Sequence, residues 1–378
     1  MNNSDDFIPV SKPYLTAEAK TLVLDCLETG WISSKGAYVE RLEHEFAAYL
    51  GVPYAISVSS GTAALHLALL ALGIGPGDEV IVPDLTFAAT ANAVLHCGAK
   101  PVLCSVNWQD WTLDPTDIAR CLSHATKAII PVHLYGMPAR MAELQVIAKQ
   151  HQLFLIEDCA ESLGASIGQQ ATGSIGDLGC FSFFANKLIT TGEGGMVTTH
   201  CDQLAQRVRC LRDHGMLPER RYWHELAGLN YRMTNIQAAL GVSQLQHLDA
   251  FYQQRQQQEQ WYQQYLAGVP GLEFKLQRQG VKTVNWLMSL RVDPAKAGFH
   301  AAELMYDLQQ HQIETRGFFY PLHLQPPYLD QSEALRSMEQ LAAEGISLPT
   351  FVGLTQSQVE RICLRIRQFA NARLQEPV

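Results

Sequence analysis

Two residue types in one stretch of this 378-residue chain are suited to chemistry, an acid and a lone lysine, each set just past an apolar run. The stretch, LFLIEDCAESLGASIGQQATGSIGDLGCFSFFANKLITTGEGGMV, covers Leu153 to Val197. Its first apolar run, LFLI, stops at Glu157 and Asp158, and a later one, CFSFF, leads to Lys187. Strands buried on both faces end at one edge of a sheet, where an acid and an amine carried past two strand ends can meet. Gly192, Gly194 and Gly195 follow the lysine, so backbone can approach a bound group there with no Cβ in the way. A lysine amine attacks a carbonyl only when deprotonated, and partial desolvation lowers its pKa toward that state. A carboxylate beside a pyridine nitrogen does the complementary job, keeping the ring protonated so that it accepts electrons. Pyridoxal phosphate needs both.

A second feature is SSGTAALHLALLALG, Ser59 to Gly73. A strand ends at Ser59 and Ser60, and a helix apolar nearly all round begins at Gly61 and Thr62, so its N-terminal N–H groups and dipole face the turn. That is an anion site, although an N-cap before a buried helix has the same pattern. Phe87 follows the strand-like EVIVPDL. GWISSKG, with Trp31, reads as a loop able to reach a ligand or as a surface turn.

The elements that must position these residues are short apolar runs alternating with helices. The runs YAISV, EVIVP, PVLCSV, KAIIPVH, LFLIED, GCFSFF and GMVTT are spaced by helical stretches such as Thr62 to Leu72, Ala88 to Cys97 and Met141 to His151. Continuous apolar strands flanked by helices predict a mostly parallel sheet covered on both faces. A helix is predicted over Thr16 to Glu28, and a polar loop from His214 to Leu226. MTNIQAALGVSQL and the Gln-rich segment after it read as one long or kinked helix. From about residue 252 the pattern becomes α+β, with NWLMSLRV as a strand, ETRGFFYPLH as a strand into a loop and a last helix over Thr355 to Arg373. The expected division is an arm and loop over 1–36, a large α/β domain over 37–250 and a small domain over 251–378.

The charge balance, 37 acids against 28 Lys plus Arg, argues against a nucleic-acid surface. Nine scattered cysteines with no C-x-x-C pair fit a reducing compartment, and no metal-ligand spacing occurs. MNNSDDFIPV has no basic or apolar leader region, and no apolar run is long enough to span a bilayer, so the cytoplasm is expected, with no membrane partner. No G-x-x-x-x-G-K-[ST] string is present, which removes a P-loop module.

FSFFANKLITTGEGG resembles the lysine motif of the sugar aminotransferase branch of the fold-type I pyridoxal-phosphate enzymes, the DegT/DnrJ/EryC1/StrS family. Five more stretches are similar to that family in the expected order: SSGTAALHLALLALG, DLTFAATANAVLHCGAKPV, RDHGM, LNYRMTNIQAALGVSQL and TRGFFYPLHLQPPY. The resemblance implies a large α/β domain with a mostly parallel sheet, a smaller α+β C-terminal domain, pyridoxal 5′-phosphate as cofactor, and a homodimer with shared active sites. It implies that Lys187 holds the cofactor and carries protons, and that Asp158 serves the ring nitrogen. Gly61, Thr62 and Ser182 would bind the phosphate, and Phe87 would stack on the ring. Glu161 would lie near the 3′ oxygen, where the family often has Gln. Asn230 would reach the cofactor phosphate of the partner subunit. The strand and loop carrying Arg316 and His323 would close over substrate, with Trp31 as a further substrate contact; His133 and Tyr135 are left as interior groups. The implied reaction moves an amino group from L-glutamate to a nucleotide-linked keto sugar. KLITTGEGG, FSFFANK and PLHLQPPY are most similar to members that aminate C4 of a GDP-linked 4-keto-6-deoxymannose to a perosamine-type sugar. Leu188 and Ala185 depart from those members, and a dTDP- or UDP-linked keto sugar is the alternative.

Overall fold

The apolar runs read as strands join in one seven-stranded sheet in this computed structural model, which describes residues 7–217, 219–330 and 332–375. Residues 1–6 of the expected arm lie outside the described residues. The strand order is Tyr54–Val58, Gly195–Thr199, Leu178–Ser182, Phe154–Asp158, Thr126–Ile129, Glu79–Pro83 and Lys100–Cys104. Gly195–Thr199 runs antiparallel to both neighbours, and the other pairs are parallel. These strands lack polar–apolar alternation because both faces are covered: in Tyr54–Val58 and Glu79–Pro83 every residue after the first is buried.

Helix Gly61–Ala71 is apolar on all sides because it lies between the sheet and the helices Ala89–His96 and Asp202–Arg212. The first helix spans Ala17–Thr29; Thr16 caps it, its hydroxyl accepting the Ala19 N–H at 3.1 Å, and Gly30 ends it in the left-handed region at φ 75°. The expected long helix is two, Asn235–Gln246 and Leu248–Leu266, meeting at His247. The first begins where it does because Thr234 and Gln237 form a capping box.

One expectation is corrected. The stretch after His214 is not a plain loop, since Met216–Leu217 and Arg220–His224 pair as an antiparallel hairpin. All five residues of the second strand are exposed, so no alternation marked it. In ETRGFFYPLH only Arg316–Gly317 pairs as strand; the chain then turns at Pro321 into a short 3-10 turn over Leu322–Leu324. Arg316–Gly317 lies at the edge of a four-stranded antiparallel sheet with Gly345–Leu348, Met288–Val292 and Leu272–Phe274. That sheet has its own apolar cluster, including Leu290, Leu304, Ile346 and Ile362, under helices Ala301–Gln310 and Gln356–Gln375. Among the described residues no helix is long and apolar enough to cross a membrane.

Candidate active site

Asp158 closes the strand Phe154–Asp158, and Lys187 lies just beyond Leu178–Ser182, its N–H bonded to the Phe184 carbonyl at 2.9 Å. Those two strands are parallel neighbours, so their carboxyl ends lie side by side. Both side chains face one cavity of about 330 Å³, which the Ser60–Thr62 turn, Phe87, Glu161, Ser182 and Arg316 also line. Ligands of open α/β sheets bind in this position.

One wall is the start of helix Gly61–Ala71. Ser60 Oγ accepts the Ala63 N–H at 3.1 Å and the Ser60 carbonyl accepts the Ala64 N–H at 3.0 Å. The remaining N-terminal donors, on Gly61 and Thr62, belong to residues that line the cavity. A Cβ on Gly61 would stand 2.7 Å from the Ser182 Cβ. Glycine is therefore what lets the helix N-terminus come against the strand end that carries the Ser182 hydroxyl. Helix dipole, two backbone donors and two hydroxyls around one concavity suit a phosphate group.

The opposite wall carries the acid. Asp158 is buried; its Oδ2 accepts from the Thr90 hydroxyl at 2.8 Å and its Oδ1 from the Ala160 N–H at 3.1 Å. Burial pushes this carboxyl up, while those two donors and the charge of Lys187 pull it down. A protonated pyridine nitrogen would act in the same sense as Lys187, favouring the carboxylate.

Glu161, also buried, accepts the Tyr135 N–H at 2.7 Å, and its Oε1 lies 3.9 Å from Lys187 Nζ. Burial drives the two partners toward neutrality from opposite sides, raising Glu161 to about 7 and lowering Lys187, and their mutual attraction opposes this. The outcome is an amine whose pKa lies below its usual value because it is buried, the direction that carbonyl chemistry requires. On its other side Lys187 Nζ sits 4.0 Å from the centre of the Trp286 ring. An anion cradle, a buried acid and an amine whose pKa is lowered by burial thus fit pyridoxal phosphate.

The remaining predicted residues divide. Phe87 is 59% exposed and lies on the cavity 5.7 Å from the Phe319 ring, and Arg316 reaches the cavity and pairs with Glu314 at 3.7 Å. Asn230 is off its own chain's cavity; its Oδ1 accepts from Arg232 Nε at 3.0 Å. Trp31, 61% exposed, borders a different concavity with Tyr38, Glu43, Arg212 and Asn235. His323 is turned away from the cavity. The turn at Leu322–Leu324 rotates it inward, where its Nδ1 pairs with Asp84 Oδ2 at 2.7 Å and its backbone N–H with Asp84 Oδ1 at 2.8 Å.

Thr90, Asn186, Trp286 and Phe319 line the cavity without having been singled out. Thr90 and Thr86 are one helical turn apart around Phe87, which is the signal that could have found the first of them. Trp286, just ahead of strand Met288–Val292, had none. His133 and Tyr135 are interior, as expected, and so is Glu157, which accepts from Gly173, Ile175 and Gly176 N–H groups and pairs with His133 Nε2 at 3.0 Å.

The DegT/DnrJ/EryC1/StrS aminotransferase family model matches residues 13–367. The GDP-perosamine synthase of Caulobacter vibrioides is 43% identical over 364 residues, 96% of this chain and 98% of its own. That of Escherichia coli O157:H7 is 42% identical over 363 residues, again 96% and 98%. The proposed sugar aminotransferase Spr1654 from Streptococcus pneumoniae, solved in its PMP form, superposes with a TM-score of 0.91 at 27% identity, covering 97% of this chain and 98% of that one. The chain belongs to the DegT/DnrJ/EryC1/StrS aminotransferase family and is an enzyme that works with pyridoxal 5′-phosphate.

Proposed function

We propose that this enzyme transfers the amino group of L-glutamate to C4 of a GDP-linked 4-keto-6-deoxymannose, giving a perosamine-type 4-amino-4,6-dideoxy sugar nucleotide and 2-oxoglutarate. The observation that carries the reading is the single cavity in which Lys187, Asp158 and the Gly61 helix N-terminus meet. The choice of sugar nucleotide is supported by the names of the relatives about two-fifths identical over nearly the whole chain.

Bound in this cavity, the cofactor supplies a carbonyl that joins amines and a ring that takes up the electron pair left when a Cα proton departs. Lys187 holds the cofactor at rest and, when free, carries the proton from the donor's Cα and later delivers one to the sugar carbon; its lowered pKa supports both tasks. Asp158 keeps a proton on the ring nitrogen, held in place by Thr90 and Ala160. The Gly61 and Thr62 donors and the Ser182 hydroxyl take the phosphate, Phe87 flanks the ring, and Glu161 stands beside Lys187. Arg316, half-exposed at the cavity, pairs with a carboxylate of the donor. His323 serves only to fasten the loop that brings Phe319 to the cavity.

A homodimer is part of the reading. Asn230 and Trp31 lie away from their own chain's cavity, as residues serving a partner's site would. So is the division into 1–36, 37–250 and 251–378, supported by the seven-stranded sheet lying wholly within 37–250 and the four-stranded sheet wholly within 251–378. A cytoplasmic location fits nine cysteines of which seven are buried, as in a reducing compartment.

The test is direct. Purified enzyme is given glutamate with GDP-, dTDP- or UDP-linked keto sugars, and 2-oxoglutarate release is followed. Preference for the GDP-linked 4-keto-6-deoxymannose is expected; release with only a dTDP- or UDP-linked sugar would replace the substrate, and release with none would remove the reading.

A further inference from the structure

Lys187 has two neighbours of different character. Glu161 offers a charge at 3.9 Å; Trp286 offers only a ring face at 4.0 Å. The ring is built in. It is 5% exposed, lies parallel to the Tyr135 ring within 6° at 6.3 Å, and is followed at 20° by Phe319. Its Nε1–H donates to the Asn186 carbonyl at 2.9 Å, the residue directly before the lysine. Its own carbonyl accepts from Nη1 of the buried Arg255 at 2.9 Å. The indole and the backbone that carries Lys187 therefore move as one unit.

We propose that Trp286 is a positioning residue for Lys187: its indole face holds the free ammonium beside the cofactor between half-reactions, and its N–H fixes the backbone from which the lysine extends. A π face attracts an ammonium but accepts no proton from it. It can keep the amine in place without competing for the proton that the amine must hand on, which a second carboxylate at that spot would do. The inference rests on the role given to Lys187 above.

The other charged groups around this amine are Asp158 and Glu161, with Arg316 and Glu193 elsewhere on the cavity and Lys275 behind Glu161. All stay in place when only the indole is altered. Weakening the ring's attraction disfavours the ammonium, so Lys187 should lose its proton at lower pH.

The experiment uses the enzyme loaded with pyridoxamine phosphate, in which Lys187 is free. Acetic anhydride labelling of Lys187 is measured by mass spectrometry over a pH series. The protein carries either Trp286 or 5,7-difluorotryptophan at that position, a change that drains the π face and keeps the shape. The half-labelling pH is expected to fall by about one unit, a tenfold change in the free-amine fraction at a given pH. The acid limb of kcat should move the same way, with KM for glutamate unchanged. An unchanged or higher half-labelling pH in the fluorinated protein overturns the proposal, because a purely packing role would leave it where it was. Labelling needs no turnover, so a shift in a protein that aminates no sugar nucleotide would keep this inference and discard the proposed function instead.

Discussion

Glu157 and Asp158 are consecutive on one strand, both buried, and they point to opposite sides. Glu157 is fully served: three backbone N–H groups at 2.7 to 2.9 Å and the His133 ring surround it. Because His133 Nδ1 accepts the Ala139 N–H at 2.9 Å, the imidazole proton lies on Nε2 and faces Glu157, so a neutral ring is enough. Asp158 has two donors and Glu161 one, and both turn the rest of their capacity to the cavity. The difference teaches how to tell a framework acid from a working one. A buried carboxylate with a complete donor set fixes the loop over 173–176, whereas an under-served one waits for a partner that the chain itself does not provide.

Substitutions can break that distinction. Lys187→Ala should have the largest effect, a fall in turnover of about 10⁴-fold or more with a melting temperature within a few degrees of the parent; 2-oxoglutarate release and scanning calorimetry read the two. Asp158→Asn should lower turnover by roughly 10²–10⁴-fold and weaken cofactor retention, leaving unfolding by urea little changed. For Glu157→Gln the signature reverses. One of its backbone donors would meet an NH₂ group, costing about 3 kcal/mol in urea unfolding, while activity per folded molecule stays within about threefold. If Glu157→Gln lost activity and kept its stability, the contrast drawn here would be wrong.

The smallest effect sharpens the comparison. Glu161 is raised from 4.5 to about 7 by burial, so folding takes up a proton between those values. Its contribution to stability is present in full below pH 4.5 and is lost as pH rises through about 7. With cofactor removed, Glu161→Gln should therefore lose less melting temperature than the parent between about pH 5 and about pH 8. Identical slopes in the two proteins would mean that Glu161 is ionised throughout.

Much of this was legible because the chemistry sits where apolar runs stop. LFLIED and GCFSFF are unbroken, so their ends, and with them Asp158, Ser182 and Lys187, had to fall at one sheet edge. Thr90 was hidden because a threonine inside a short helix reads as packing until the Asp158 Oδ2 it serves is known. Trp286 was hidden for the same reason. The orientation of His323 was not legible because it depends on Asp84, a partner far away in sequence. The Arg220–His224 hairpin, exposed on both faces, carries no periodicity to read.

The antiparallel strand Gly195–Thr199 also governs when the enzyme can form. Tyr54–Val58, which leads into the Gly61 turn, is hydrogen-bonded in the sheet through that strand alone among the described residues. During synthesis an apolar segment must wait for a mate about 145 residues downstream, roughly 7 to 30 s at ribosomal speeds of ~5–20 residues per second. Nascent chains halted between Ser182 and Gly195 hold both halves of the anion cradle, at Gly61 and Ser182, and lack the strand that joins them, which makes them natural clients for chaperones.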